Sequence, residues 1–271
     1  IVDAINDGNV LPFRIYYHST IKEKEKINDK QVAAIDRERA LAAPERISKI
    51  VTYVLDNFDR LTRRNSYYTL DNQRVAGFNS IFAVSSIPVA IKYYLEFKRQ
   101  LAASGRQLRI ATIFSFGANE AEIDGQLPDE SFDTDGLDKT SRDFLEFTIN
   151  DYNVMFGTAY DTSADRFENY YKDISKRMKN RELDLLLVVN MFLTGFDATT
   201  LNTLWVDKNL RYHGLIQAFS RTNRILNSVK TFGNIICFRN LEEETDKAIA
   251  LFGDKEAGGV VLIKNYEAYY N

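Results

Sequence analysis

The spacing of apolar residues changes along this chain, and each change predicts an element. From Pro44 to Leu61, residues Ile47, Ile50, Val51, Val54, Leu55, Phe58 and Leu61 recur at helical spacing behind a first-turn proline, which predicts an amphipathic packing helix. Before it lie a short β-rich run, Phe13 to Tyr17, and a Lys/Glu-rich linker around Lys22 to Lys26. From Gly77 onward, short apolar strands alternate with helices. Phe78 to Val84 reads as a strand, and Ser85-Ser86 with Pro88 as a helix start whose buried stripe is Ile87, Ile91, Tyr94 and Leu101. Leu108 to Phe114 is a second strand. Helical spacing resumes with Phe167, Tyr170, Tyr171, Ile174 and Met178. Leu185 to Val189 is an uninterrupted apolar run, the kind buried on both faces of a parallel sheet. Leu201 to Val206 and Ile235 to Phe238 are two more strands, with a helix from about Tyr212 to Leu226 between them. This alternation predicts a doubly wound α/β fold with a parallel sheet.

Composition narrows the classes of function. Over 271 residues the hydrophobic share is 45% and the charged share 27%, the balance of an ordinary globular protein. No apolar run is long enough to cross a bilayer, and Ile1 to Ile5 does not resemble a signal peptide, so a chain without a membrane partner is expected. The single Cys237, in an apolar run, excludes an internal disulfide and suits a reducing cytoplasm. His18 and His213, the only histidines, leave little material for a histidine metal site or a Ser-His-Asp triad, and no metal ligands are assigned.

The net charge of −3 hides a split. Residues 119–138 hold eight acids and no Lys or Arg; without them the chain has 35 basic against 30 acidic residues. With Gly125, Pro128 and Gly136 in the same stretch, it reads as a solvated insertion in a mildly basic body. The missing initial Met is what a piece of a longer polypeptide would show.

Two segments could carry chemistry. Open α/β sheets bind ligands outside the carboxyl ends of their strands. After Val189, Gly195 could let the backbone approach a phosphate, Thr194 and Asn190 offer hydrogen-bonding groups, and Asp197 could accept from a sugar hydroxyl. A plain strand-ending turn with an aspartate cap fits the same residues. In Gln217 to Arg224, a continuous helix would bring Gln217, Arg221 and Arg224 within an arc of about 60°. Paired guanidiniums can grip a polyphosphate, although a solvated basic stripe or internal salt bridges fit the pattern too. No phosphate-cradling G-x-x-x-x-G-K-[ST] loop exists, since none of the 13 glycines precedes a lysine. Asp129-Glu130 lies in the acidic stretch rather than after a strand, and Glu96-Phe97-Lys98 lies mid-helix; neither makes a credible metal or nuclease motif.

In this order and on these elements, the two segments resemble the second RecA-like motor domain of a superfamily 2 helicase or translocase. More narrowly, Leu187 to Ala198, Leu204 to Lys208 and Gln217 to Arg224 are similar to the restriction and translocation subunit of type I restriction-modification enzymes. The runs Asp7 to Phe13 and Ala248 to Asp254 also look like that subunit. The resemblance implies a P-loop NTPase type of fold without its own P-loop: residues 1–76 a helical linker following the first motor domain, 77–240 the second motor domain with an insertion at about 117–165, and 241–271 a C-terminal extension. It also explains the missing phosphate loop, because ATP and Mg2+ would be bound mainly by the first motor domain. By position, Arg224 would be the arginine finger, Arg221 its assistant, and Gln217 would order the motif. Gly195 and Asp197 would face the nucleotide, and Thr194 with Asn190 would couple it to the DNA track. Ser85 and Ser86 would touch the DNA backbone at a helix N-terminus. Val189 stands where the wider pattern has a phosphate-contacting Thr and is left out of the site; Asn190 stands where Asp is common. The implied partners are the phosphate backbone of double-stranded DNA, the first motor and nuclease domains of the same subunit, and methylation and specificity subunits. Two other classes fit the residues alone: a non-catalytic interaction module, and a stand-alone nucleotide or sugar-phosphate enzyme.

Overall fold

The computed structural model describes residues 2–18, 20, 38–115, 127, 132 and 134–252. The elements, in chain order, are α1 (Val2–Asn6), β1 (Phe13–Tyr17), α2 (Pro44–Leu61), β2 (Tyr67–Leu70), β3 (Gln73–Ala76), β4 (Asn79–Val84), α3 (Ile87–Ser104), β5 (Ile110–Ile113), α4 (Lys139–Phe156), α5 (Ala164–Lys179), β6 (Leu185–Val188), β7 (Leu201–Asp207), α6 (Tyr212–Phe219), β8 (Gly233–Cys237) and α7 (Glu242–Phe252).

Six strands form one parallel sheet in the order β1-β8-β7-β4-β6-β5, and β2 with β3 makes a separate antiparallel hairpin. Strands β4 to β8 are buried at every position, as happens when helices cover both faces of a sheet. The apolar runs therefore predict the doubly wound fold correctly. Helix α2 spans Pro44–Leu61 as its periodicity predicts, with Ile47, Ile50, Val51, Val54, Leu55, Phe58 and Leu61 all buried. In α3 the inner face includes Ile87, Tyr93, Tyr94 and Phe97, while Ile91 and Leu101 are only partly covered.

Two expectations need correction. The run 13–17, grouped with a linker, is an edge strand of the main sheet: β1 pairs in parallel with β8, Phe13 opposite Gly233 through Tyr17 opposite Cys237. And the span of about 117–165, read as an insertion in the second motor domain, contains α4, which belongs to the core. Leu145, Ile149 and Tyr152 are buried at helical spacing on it. Asp138 caps it, accepting from Ser141 N at 3.1 Å and Ser141 Oγ at 2.6 Å, and Gly157 ends it in the left-handed region at φ 67°. The acidic flank masked a helix whose own apolar stripe is regular. Most of the acidic stretch, including Asp129-Glu130, and the Lys/Glu-rich run around Lys22 to Lys26 lie outside the described residues.

Fixed charges also organise the interior. At the carboxyl end of β7, fully buried Asp207 accepts from Arg46 on α2, Tyr93 on α3 and Arg239 after β8, so one carboxylate ties three parts of the chain together. Glu96, mid-helix as expected, is engaged by Arg99 Nε at 2.7 Å and Gln100 Nε2 at 2.7 Å.

Candidate functional site

Residues 190–200 join the carboxyl end of β6 to the amino end of β7 without a helix, passing the intervening strand β4. Apolar side chains pin this loop. Met191, Phe192, Leu193, Phe196 and Ala198 are buried, and the Phe192 ring lies 4.7 Å from Tyr171 and 4.8 Å from Phe196. Backbone bonds from Leu193 N to Asn190 O (3.2 Å) and from Phe196 N to Thr194 O (2.6 Å) tighten it. What remains outside is Gly195 and Asp197, both exposed. Gly195 sits at φ +66°, and a Cβ there would meet no atom within 4 Å, so glycine is needed for the backbone angle rather than for lack of room.

The expected helix through Leu226 is shorter. Helix α6 stops at Phe219, so Gln217, Arg221 and Arg224 do not lie on one continuous helical face. The reason is what comes next. Thr222 and Asn223 are fully buried where the chain turns toward the start of β8, and Leu11 N donates to Asn223 O at 2.8 Å. A Cβ on Gly233, the first residue of β8, would fall 2.2 Å from Thr222 Oγ1, so only glycine lets this turn close.

The guanidiniums nevertheless converge, because both reach the loop after β6. Arg221 donates from Nε to Gln217 O at 3.0 Å and from Nη1 to Phe196 O. Arg224 Nε lies 3.1 Å from Asp197 Oδ1, an ion pair without hydrogen-bond alignment whose side chains are 39% and 58% exposed. The Gln217 side chain is exposed, and its carbonyl is the part that orders Arg221. Lys230 completes the cluster and was not singled out by its sequence context. It is 1% exposed, and its Nζ donates to Thr199 O at 2.8 Å. Burial pushes its amine down to about 7, opposed by Asp197 and assisted by Arg224.

This cluster lies at the amino edge of the sheet, where β1, β7 and β8 begin. The usual ligand position, beyond the carboxyl ends of the strands, is the opposite edge. There the structure places Ser85 and Ser86, both half-buried after β4, and Asn190, 7% exposed after β6. Strands β4 and β6 are neighbours, so these positions share one rim. Ser86 is the N-cap residue of α3 in extended backbone, with no side-chain capping bond. The candidate DNA-contacting and nucleotide-contacting residues therefore occupy opposite edges, joined by the 190–200 loop on which half-buried Thr194 lies between them.

The donor set suits one share of a nucleotide site. Two arginines at the surface can meet phosphate oxygens, whereas no group of three or more His, Cys, Asp or Glu that could hold a metal exists among the described residues. Cys237 is buried, and burial pushes its thiol up. His18 is occupied by Tyr53, whose hydroxyl lies 2.7 Å from Nε2, and is tilted down in proton affinity by burial. No described helix is long and apolar enough to cross a membrane.

A family model described as type I restriction enzyme subunit R domain 3 matches residues 76–240. The type I restriction enzyme SauCOLORF180P endonuclease subunit of Staphylococcus aureus (strain COL) is 41% identical over 273 residues, covering 99% of this chain and 27% of that protein. The HindI endonuclease subunit of Haemophilus influenzae is 33% identical over 114 residues, 39% of this chain and 11% of that protein. A solved fragment assigned to an HsdR subunit of a type I restriction enzyme from Vibrio vulnificus YJ016 shares the fold, with a TM-score of 0.52 and 15% identity over 94% of this chain and 36% of that one. The chain thus spans 27% of the length of the first of these relatives. A match across most of the sheet and both candidate segments makes this chain a member of the type I restriction enzyme R subunit family, in its domain 3.

Proposed function

We propose that this chain is half of an ATP-driven double-stranded DNA translocation motor in a type I restriction endonuclease. Arg224 is the arginine finger, Arg221 assists it, and Gln217 orders the pair through its backbone carbonyl. Gly195 and Asp197 line the nucleotide side. Asn190 and Thr194 couple that side to the opposite rim, where Ser85 and Ser86 meet the phosphate backbone of DNA. ATP and Mg2+ are held mainly by a first motor domain of the same subunit, and bound ATP supplies the phosphoryl transfer that powers movement. The two halves close and reopen around that reaction and pull duplex DNA toward a separate nuclease domain, while methylation and specificity subunits choose the sequence.

One observation carries this reading: the Arg224–Asp197 pair is surface-exposed and poorly aligned. Exposed pairs contribute about 0.2–1 kcal/mol, so exchanging the carboxylate for a triphosphate costs the fold little. A non-catalytic module would tie its arginines into the interior, as Arg46 and Arg181 are tied, with side chains 7% and 6% exposed. On Arg224 the guanidinium stays at the surface, able to stabilise charge that develops on a transferring phosphoryl group.

The test is Arg224→Ala in the complete subunit. DNA-dependent ATP hydrolysis should fall by about 10³-fold or more, with the circular dichroism spectrum unchanged. A wild-type rate removes Arg224 from the site.

A further inference from the structure

Lys230 is a buried amine that the proposed mechanism does not use. Six residues after Arg224, its Nζ reaches the carbonyl of Thr199, two residues after Asp197, at 2.8 Å. The chain segments joined by this bond are therefore the same two joined by the Arg224–Asp197 pair. The links differ in kind: one is exposed and weakly aligned, the other is a hydrogen bond from a lysine only 1% exposed. Asn227 sets the turn that delivers Lys230, its Oδ1 accepting from Val229 N at 3.0 Å and Lys230 N at 3.2 Å. Arg63 holds the outside of the turn by donating to Val229 O and, at 3.0 Å, to Thr231 Oγ1. The charged groups coupled to the Lys230 amine are Asp197 and Arg224.

A buried amine is a poor way to gain stability, since an apolar side chain of the same length avoids its desolvation. It is a good way to hold two segments at fixed spacing. When Arg224 leaves Asp197 for a phosphate, the exposed link is broken, and the Lys230–Thr199 bond on the carboxyl side of Arg224, with the Arg221–Phe196 bond on its amino side, keeps the segment in register with the loop. Displacement of a reacting group by about 1 Å can cost on the order of 10²-fold in rate. We infer that Lys230 is a positioning residue for Arg224, holding the arginine segment on the Asp197 loop while the guanidinium exchanges its carboxylate partner for the triphosphate.

This inference rests on the function proposed above and is tested in the complete subunit. Lys230→Met removes the tether and keeps the stem. DNA-dependent ATP turnover should show kcat lowered about ten-fold with KM for ATP within about two-fold of wild type, because the loss falls on a contact made in the transition state. Asn227→Ala, milder for folding, should lower kcat by about three-fold at unchanged KM and carries the test if Lys230→Met does not fold. Wild-type kcat in either folded variant, or a loss confined to KM, overturns the inference. An Arg224→Ala subunit with wild-type turnover overturns both this and the underlying function. An inactive Arg224→Ala beside a fully active Lys230→Met overturns the role of Lys230 alone.

Discussion

Arg46 grips Asp207 with both terminal nitrogens, Nη1 at 2.8 Å from Oδ2 and Nη2 at 2.6 Å from Oδ1, deep inside the molecule. The same guanidinium also donates to the carbonyls of Leu41 and Phe238. Arg224 meets Asp197 through one unaligned nitrogen, Nε, between side chains that are themselves 39% and 58% exposed. These two Arg–Asp pairs do different work. The first joins α2 to the carboxyl ends of β7 and β8; the second leaves a cation available at the amino edge.

Breaking the inner pair should destabilise the chain. Arg46→Met leaves Asp207 buried with Arg239 and Tyr93 alone, and the expected loss is about 3 kcal/mol, at the lower end of the range for an uncompensated buried charge. Urea denaturation measures it. A midpoint unchanged from wild type would mean that Arg239 and Tyr93 suffice.

Two glycines near the site should respond differently to an added methyl group. Gly233→Ala forces a Cβ to within 2.2 Å of Thr222 Oγ1, in a turn where Thr222 is fully buried. Overpacking of that kind costs about 1–3 kcal/mol, and the shift should displace Arg221 and Arg224 as well. Gly195→Ala meets open space and bears only the left-handed backbone, at about 1 kcal/mol. Equal losses of stability in the two variants would contradict the packing of Gly233 on Thr222.

The pH dependence of stability should carry the mark of Lys230. Its amine is held down at about 7 when folded, against about 10.4 in an unfolded chain. Between those values the unfolded state binds the extra proton, so this residue's contribution to stability rises with pH across the window and is least favourable below about 7. Buried Cys237 has the opposite sign, since a raised thiol favours the folded state less as the pH climbs past its ordinary value. Comparing wild type with Lys230→Met isolates the lysine. The stability difference should move in favour of wild type by a few kcal/mol, on the order of magnitude set by the shift, between pH of about 7 and about 10. A flat difference would place the Lys230 amine in contact with water.

The chain by itself should not turn over ATP or cut DNA. It supplies arginines but no phosphate loop, and the described residues hold no metal-binding cluster. Calorimetric titration with ATP and a phosphate-release assay check this. Catalytic turnover by the isolated chain would favour a stand-alone nucleotide enzyme over half of a motor.

Local pattern was sufficient wherever burial alone writes it. The runs at Leu185 to Val188 and Leu201 to Asp207 are apolar because both of their faces are covered, and α2 shows one buried stripe because only one of its faces is covered. The residue types in Gly195 to Asp197 and Gln217 to Arg224 were legible for the same reason: their chemistry is local. Helix α4 was hidden by the acidic residues beside it, although its stripe of Leu145, Ile149 and Tyr152 was present to be counted. What lay beyond reach was decided by the path of the chain. That α6 ends at Phe219 follows from the buried turn of Thr222 and Asn223 toward β8, and that Arg224 faces Asp197 across 27 positions, at the opposite edge from Ser85 and Ser86, follows from how the loop after β6 crosses to β7. Hydrophobic periodicity records whether a side chain is covered. It does not record by what, and the pairing of these charges is a property of the fold.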